Sequence, residues 1–220
     1  MKVYVGVDEA GRGCVIGPLF VAAAAFTEEA LNHLREAGVK DSKKLARRRR
    51  EGLEPLVRQL AAAVVVERVD PSTIDSRNLN EAELDAVSTA LRRLASRLRE
   101  LKAVVERVSI DLFGREEELR RVVEEAFPGV EARLLHDADA SLIECSAASI
   151  IAKVERDRFI DLLKRNYGDF GSGYPSDPKT RRWLSTIATL GEPPPCVRRS
   201  WRTLLKHAPE LYVDKRRGSG

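Results

Sequence analysis

Cysteine is scarce in this chain. Cys14, Cys145 and Cys196 are odd in number, widely spaced and form no C-x-x-C pair, which excludes a disulfide framework and a thiolate zinc site. A reducing, intracellular setting is the simplest expectation, and the cytoplasm the expected location. Long apolar runs are missing as well. The longest, VIGPLFVAAAAF at 15–26, is interrupted by Gly17 and Pro18 and falls short of the roughly 20 residues that a membrane-spanning helix requires. The N-terminus runs straight into a strand pattern after a single lysine, so no secretory signal is expected. Internal repeats and low-complexity tracts are absent too.

What is present fits one main globular domain. Hydrophobic residues make up 43% of the 220 and charged residues 33%, with both signs interspersed, enough for a full core under a solvated surface. The net charge is only +4, but its distribution is uneven. Lys179, Arg181, Arg182, Arg198, Arg199, Arg202, Lys206, Lys215, Arg216 and Arg217 crowd the last fifth. Such a stripe suits a polyphosphate partner, and a solvated basic face explains it equally well.

Period-two valines in KVYVGVDEA predict a first strand, and LFVAAAAF predicts a second that pairs with it as a hairpin. AAAVVVERVD, KAVVERVSIDLF and VEARLLHDA predict three more. Helical spacing joins Leu84, Val87, Leu91, Leu94, Leu98 and Leu101, and again Ile143, Ala147, Ile150, Ile151, Val154 and Leu162. Ser141 and Glu144 are spaced as a capping box for the second of these helices. A hairpin followed by alternating helices and strands predicts an α/β fold with a mixed sheet. PKTRRWLSTIATL and SWRTLLKHAPEL then predict helices beyond the GSGYPSDP break. The expected organisation is a main domain over residues 1–170 with a basic helical extension over 171–220.

Asp8 and Asp111 each stand near the carboxyl end of a predicted strand, where ligands gather in open α/β sheets. If those strands are parallel neighbours, the two carboxylates converge. Asp137 and Asp139 follow the fifth strand, and either can supply a further acid. Clustered carboxylates repel unless protons or cations neutralise them. Oxygen donors without histidine or cysteine pairs favour Mg²⁺ or Mn²⁺. Two such ions about 4 Å apart serve phosphoryl transfer, one activating water and the other stabilising the leaving oxygen. For any single aspartate, a turn or cap role is the more ordinary explanation. Glu9 adjoins Asp8, and neighbouring strand residues share a cleft only where the strand ends or bulges.

Seven segments occur in order: VDEAGRG followed by GPL, DSKKL at 41–45, SID at 109–111, ADA at 138–140, SAASIIAKVERD at 146–157 and GSGYPSDP at 171–178. Together the chain resembles ribonuclease HII over residues 5 to about 178. The resemblance implies a ribonuclease H-like fold with a mixed five-stranded sheet flanked by helices and a helical C-terminal region. It implies an endonuclease acting on RNA paired with or joined to DNA, including duplex DNA containing ribonucleotides. By the same resemblance the catalytic and metal-binding acids are Asp8, Glu9, Asp111 and Asp139, holding two Mg²⁺ or Mn²⁺ ions. Gly11, Arg12 and Gly13 match the loop that contacts the ribose 2′-hydroxyl, the group that distinguishes RNA from DNA. Tyr174 matches a tyrosine that packs on the sugar, and Lys43 a phosphate-contacting lysine. Arg156 matches an arginine that either contacts substrate or pairs with Asp157.

Two positions depart from the family pattern: Cys14 where proline is common after the loop, and Ser141 where lysine is common after ADA. The sister type, ribonuclease HIII, usually has a different residue where Arg12 stands and carries an additional N-terminal domain. A binding module without activity is the rival from another class; it gains nothing from four acids where phosphates must sit. The end LYVDKRRGSG lacks the glutamine and paired aromatics of a sliding-clamp-binding motif, so no such docking is expected there. A monomer is the default expectation.

Overall fold

The computed structural model describes residues 1–40, 45–190 and 192–215; Lys43 lies outside the described residues. The strands are β1 (Lys2–Ala10), β2 (Leu19–Phe26), β3 (Ala63–Val69), β4 (Val104–Asp111) and β5 (Glu131–Leu135). The helices are α1 (Glu28–Glu36), α2 (Arg47–Leu60), α3 (Pro71–Ser76), α4 (Leu79–Glu100), α5 (Glu116–Ala126), α6 (Ala138–Ser141), α7 (Ile143–Tyr167), α8 (Pro178–Ile187) and α9 (Thr203–His207). One sheet runs in the order β3-β2-β1-β4-β5. β1 is antiparallel to β2 and parallel to β4, and β4 is parallel to β5. The mixed five-stranded sheet expected from the sequence is the one that forms, with the opening hairpin and all five strands in place.

The described residues divide into two compact units. The first comprises Met1–Ala10, Phe20–Arg68 and Glu83–Glu155, and the second Gly11–Leu19, Val69–Ala82 and the chain from Arg156 onward. In the first, strand alternation turns Val3, Val5 and Val7 to one face of β1 and Tyr4, Gly6 and Asp8 to the other. β2 is buried along its whole length, as its run of alanines between two covered faces requires. Ala22, Ala24 and Phe26 of β2 join Leu34 of α1, Leu53 and Val57 of α2 and Ile150 and Ile151 of α7 in one core. Gly6 is required for close approach. A Cβ there would lie 2.1 Å from the Glu144 carbonyl oxygen at the start of α7.

The second unit has its own core, in which Val15, Ile16, Phe170, Leu184, Val197 and Leu204 take part. α8 begins as its sequence suggests, with Pro178 in the first turn and Asp177 accepting a 2.8 Å bond from the Lys179 N–H.

Three expectations fail locally. Ser141 and Glu144 form no capping box: residues 138–141 make the short α6, where Ser141 Oγ donates to the Ala138 carbonyl. Glu144 is drawn instead to β4, accepting from Ser109 Oγ at 2.9 Å and Arg107 Nη2 at 2.7 Å. Leu101 and Leu162, the last members of their stripes, are exposed at 48% and 51%. Leu101 falls beyond the end of α4, and the buried stripe of α7 has run out before Leu162.

Candidate active site

The parallel register of β1 and β4 pairs Gly6 with Ser109 and Val7 with Ile110, so the next step brings Asp8 alongside Asp111 at the carboxyl ends of the two strands. Carboxylate oxygens of Asp8, Glu9 and Asp111 lie within 4.8 Å of one another. Glu9 joins them without a bulge at this point. β1 stays paired to β2 through Ala10, while its ladder to β4 stops at Val7. Beyond that stop β1 is paired on the β2 side only. Asp8 Oδ1 accepts the N–H of Glu9 at 2.7 Å, and Asp111 Oδ1 accepts the N–H of Ala138 at 3.0 Å. This second bond ties β4 to α6, which carries Asp139.

Asp137 is exposed with a left-handed backbone and Asp139 is fully buried; the group of carboxylates within 4.8 Å comprises Asp8, Glu9 and Asp111 and includes neither of them. Lys153 of α7 spans the acids, its Nζ 3.7 Å from Asp139 and 4.0 Å from Asp8. It also donates to Ser149 Oγ one turn earlier on the helix. Burial pushes the Asp8 carboxyl well above the usual range; the charge of Glu9 adds to the rise and Lys153 opposes it. Asp8 Oδ2 is buried and accepts no hydrogen bond among the described residues. An all-carboxylate set with such an oxygen fits hard divalent ions of the Mg²⁺ or Mn²⁺ kind. His136 is exposed and stands outside the group.

Gly11, Arg12 and Gly13 follow β1 directly, and in the second unit they meet Arg156 and Tyr174. Gly11 adopts φ +90°, and a Cβ there would lie 2.8 Å from the Pro18 carbonyl and 3.1 Å from the Arg156 side chain. Arg12 donates to Asn80 Oδ1 at 2.5 Å. Arg156 is 6% exposed and lies under the Tyr174 ring, 4.8 Å from its centroid. It donates to the Ser172 carbonyl at 2.6 Å, to Cys14 Sγ at 3.0 Å and to Asp157 at 3.3 Å. Cys14 is thus a buried acceptor for Arg156. Partial burial, with Cys14 nearby, pushes the Tyr174 phenol up to about 12, so it remains a neutral hydroxyl.

Sequence reasoning passed over Lys153, Asn80, Asp75 and Arg198. Lys153 carried a usable signal, standing in the AKVERD run four residues after Ser149, one helical turn. Asn80, Asp75 and Arg198 are set by contacts between segments remote in the chain, for which local spacing gives no sign.

A family model described as Ribonuclease HII matches residues 5–204. The chain belongs to the ribonuclease HII family. It is 44% identical over 212 residues to the ribonuclease HII of Saccharolobus solfataricus, covering 96% of each chain. The crystal structure of the ribonuclease H2 from Pyrococcus horikoshii OT3 superposes with a TM-score of 0.81 at 38% identity, covering 95% of this chain and 98% of that one. A ribonuclease HII from Archaeoglobus fulgidus, solved as a PCNA complex, gives 0.75 at 41% identity, covering 93% and 95%. The ribonuclease H-like fold and membership of a family of metal-dependent endoribonucleases follow for this chain. No helix among the described residues is long and apolar enough to cross a membrane.

Proposed function

We propose that this protein hydrolyses the RNA strand of RNA–DNA hybrids and the phosphodiester 5′ to ribonucleotides embedded in duplex DNA, leaving 3′-hydroxyl and 5′-phosphate ends. The observation that carries the reading is the convergence of the Asp8, Glu9 and Asp111 carboxylates within 4.8 Å at the open end of the β1–β4 pair. Asp139 is linked to Asp8 through Lys153. Two Mg²⁺ or Mn²⁺ ions held by these four acids would supply the positive charge that an in-line displacement at phosphorus needs. Asp8, the most buried of the β1–β4 acids, would be shared between the ions, with Glu9, Asp111 and Asp139 completing the set.

Gly11 and Gly13 keep the loop backbone free of side chains, which lets it approach a ribose closely. In this reading the loop senses the 2′-hydroxyl, and Tyr174 offers its exposed ring face to the sugar. Arg156 supports Tyr174 from beneath, and Lys43 contributes a phosphate contact. The protein acts as a monomer and does not dock on a sliding clamp through LYVDKRRGSG, which has no glutamine and no paired aromatics.

The test is a DNA duplex carrying one ribonucleotide, incubated with and without Mg²⁺ or Mn²⁺, with the product ends mapped. Metal-dependent cutting on the 5′ side of the ribonucleotide is expected. Asp111→Asn should lower the rate by about 10³-fold or more, the scale of losing a group that organises transition-state charge, with an unchanged circular dichroism spectrum. Binding without cutting in either metal would refute the reading in favour of a binding module.

A further inference from the structure

Arg198 is fully buried, yet it lies far from the acids in sequence and outside every motif the function uses. Its guanidinium is spent on one short stretch of backbone. Nε donates to the Gly17 carbonyl at 2.8 Å, Nη1 to the Arg12 carbonyl at 2.8 Å and Nη2 to the Gly11 carbonyl at 2.6 Å. The Trp201 ring covers it at 4.8 Å. Burying a guanidinium is costly, and the cost is met here by carbonyls of the loop itself.

The geometry has a directional result. All peptide bonds of the described residues are trans, and in a trans peptide the C=O and N–H point in opposite directions. The Gly11 carbonyl shares its peptide plane with the Arg12 N–H, and the Arg12 carbonyl with the Gly13 N–H. Holding both carbonyls against Arg198 therefore turns two successive N–H donors away from it. Gly13 is exposed, so this outward side is accessible. Only a planar fork with several donors reaches three carbonyls at once; lysine presents a single point.

Arg198 is itself held in place. Its N–H donates to the Val15 carbonyl at 2.9 Å, and Gly17 N–H donates to the Cys196 carbonyl at 2.7 Å. Asp75 of α3 receives the N–H groups of Arg199 and Ser200 at 2.7 and 2.9 Å and the Ser200 hydroxyl at 2.6 Å. Asn80 holds the Arg12 side chain. The loop's backbone and its one side chain are thus both fixed from within the second unit.

We propose that Arg198 is a positioning residue for the Gly11–Gly13 loop, aiming the Arg12 and Gly13 N–H groups at the substrate and so setting the rate at a ribonucleotide junction. The inference rests on the function proposed above. Its test compares wild type, Arg198→Met and Arg198→Lys in single-turnover and steady-state cleavage of the one-ribonucleotide duplex, well below each protein's melting temperature. Misplacing a positioning group by about 1 Å costs on the order of 10²-fold, so Arg198→Met should lose about that factor in kcat. KM should change by less than about threefold, because phosphate contacts carry most of the affinity. Arg198→Lys should recover part of the lost kcat.

Folded Arg198→Met with kcat and KM near wild type overturns the inference, as does a loss confined to KM. If Arg198→Met does not fold, Asp75→Asn keeps the guanidinium while loosening the 199–200 backbone beside it. A several-fold lower kcat at constant KM is then expected, and an unchanged kcat overturns the proposal. Wild-type protein that leaves the duplex uncut defeats the proposed function instead, which separates the two failures.

Discussion

Gly6→Ala adds one methyl group where β1 meets the first turn of α7. The new Cβ would lie 2.1 Å from the Glu144 carbonyl oxygen, 2.2 Å from its carbon and 2.7 Å from the Cys145 nitrogen. All three are backbone atoms, so no rotamer change relieves the clash. Ordinary contact begins near 3.4 Å, and the start of α7 must therefore retreat by roughly 1.3 Å or β1 must bend. Overpacking of this kind costs about 1–3 kcal/mol. The retreating turn also carries Glu144 off Ser109 and Arg107, adding about 1–2 kcal/mol for weakened charge-assisted bonds. At about 2–4 °C per kcal/mol for a chain of this size, the melting temperature should fall by about 4–20 °C. Asp8 stands two residues along β1, and Lys153 lies on the displaced helix, so the same shift should cost on the order of 10-fold to 10²-fold in cleavage rate. Calorimetric melting and initial rates at 25 °C measure both effects. A variant melting within about 2 °C of wild type, less than one kcal/mol on this scale, and cutting at the same rate would refute the close-approach reasoning.

Three further outcomes follow from the acids and the basic surface. Burial and Glu9 raise the Asp8 carboxyl, so between its ordinary and its raised pKa the folded protein holds more protons than the unfolded chain; stability is present below that window and lost as pH rises through it. In a chelator, Asp8→Asn should therefore melt above wild type at pH 8 and approach it toward pH 4; a variant that melts lower at every pH contradicts the buried-charge account. Adding Mn²⁺ should raise the melting temperature of wild type by mass action and leave Asp8→Asn little changed, as scanning fluorimetry would record. Substrate KM should rise steeply between 50 and 200 mM salt as released counterions regain their advantage, and a flat dependence would remove the basic residues from substrate binding.

The strands were legible because each carries β-branched alternation or an unbroken small apolar run, whereas the order β3-β2-β1-β4-β5 is set by pairings between remote segments. The long helices α4 and α7 declared themselves by leucine and isoleucine spacing. α5 did not, since Leu119 and Val123 are its only buried residues among arginines and glutamates and make too short a stripe. Ser141 and Glu144 misled because a capping box assumes that both side chains are free, whereas Arg107 and Ser109 compete for the glutamate from a strand 35 residues away in sequence. Among the acids, spacing alone left Asp137 and Asp139 equivalent; their different burial, one exposed and one fully buried, depends on packing that spacing does not report. How Glu9 reaches its neighbours was illegible too, for it depends on where one ladder stops while the other continues. Arg198 looked like one more basic residue in a charged tail, since nothing near it in sequence indicates three carbonyl partners some 180 residues earlier.

Lys153 lies within 4 Å of Asp8, a member of the carboxylate cluster, and of the buried Asp139. An ammonium group so placed serves as a built-in counterion, allowing the carboxylates to stay assembled between encounters with divalent ions. A divalent ion held by these acids would take over electrostatic work already done by a flexible side chain, rather than having to organise scattered ligands from a repelling state.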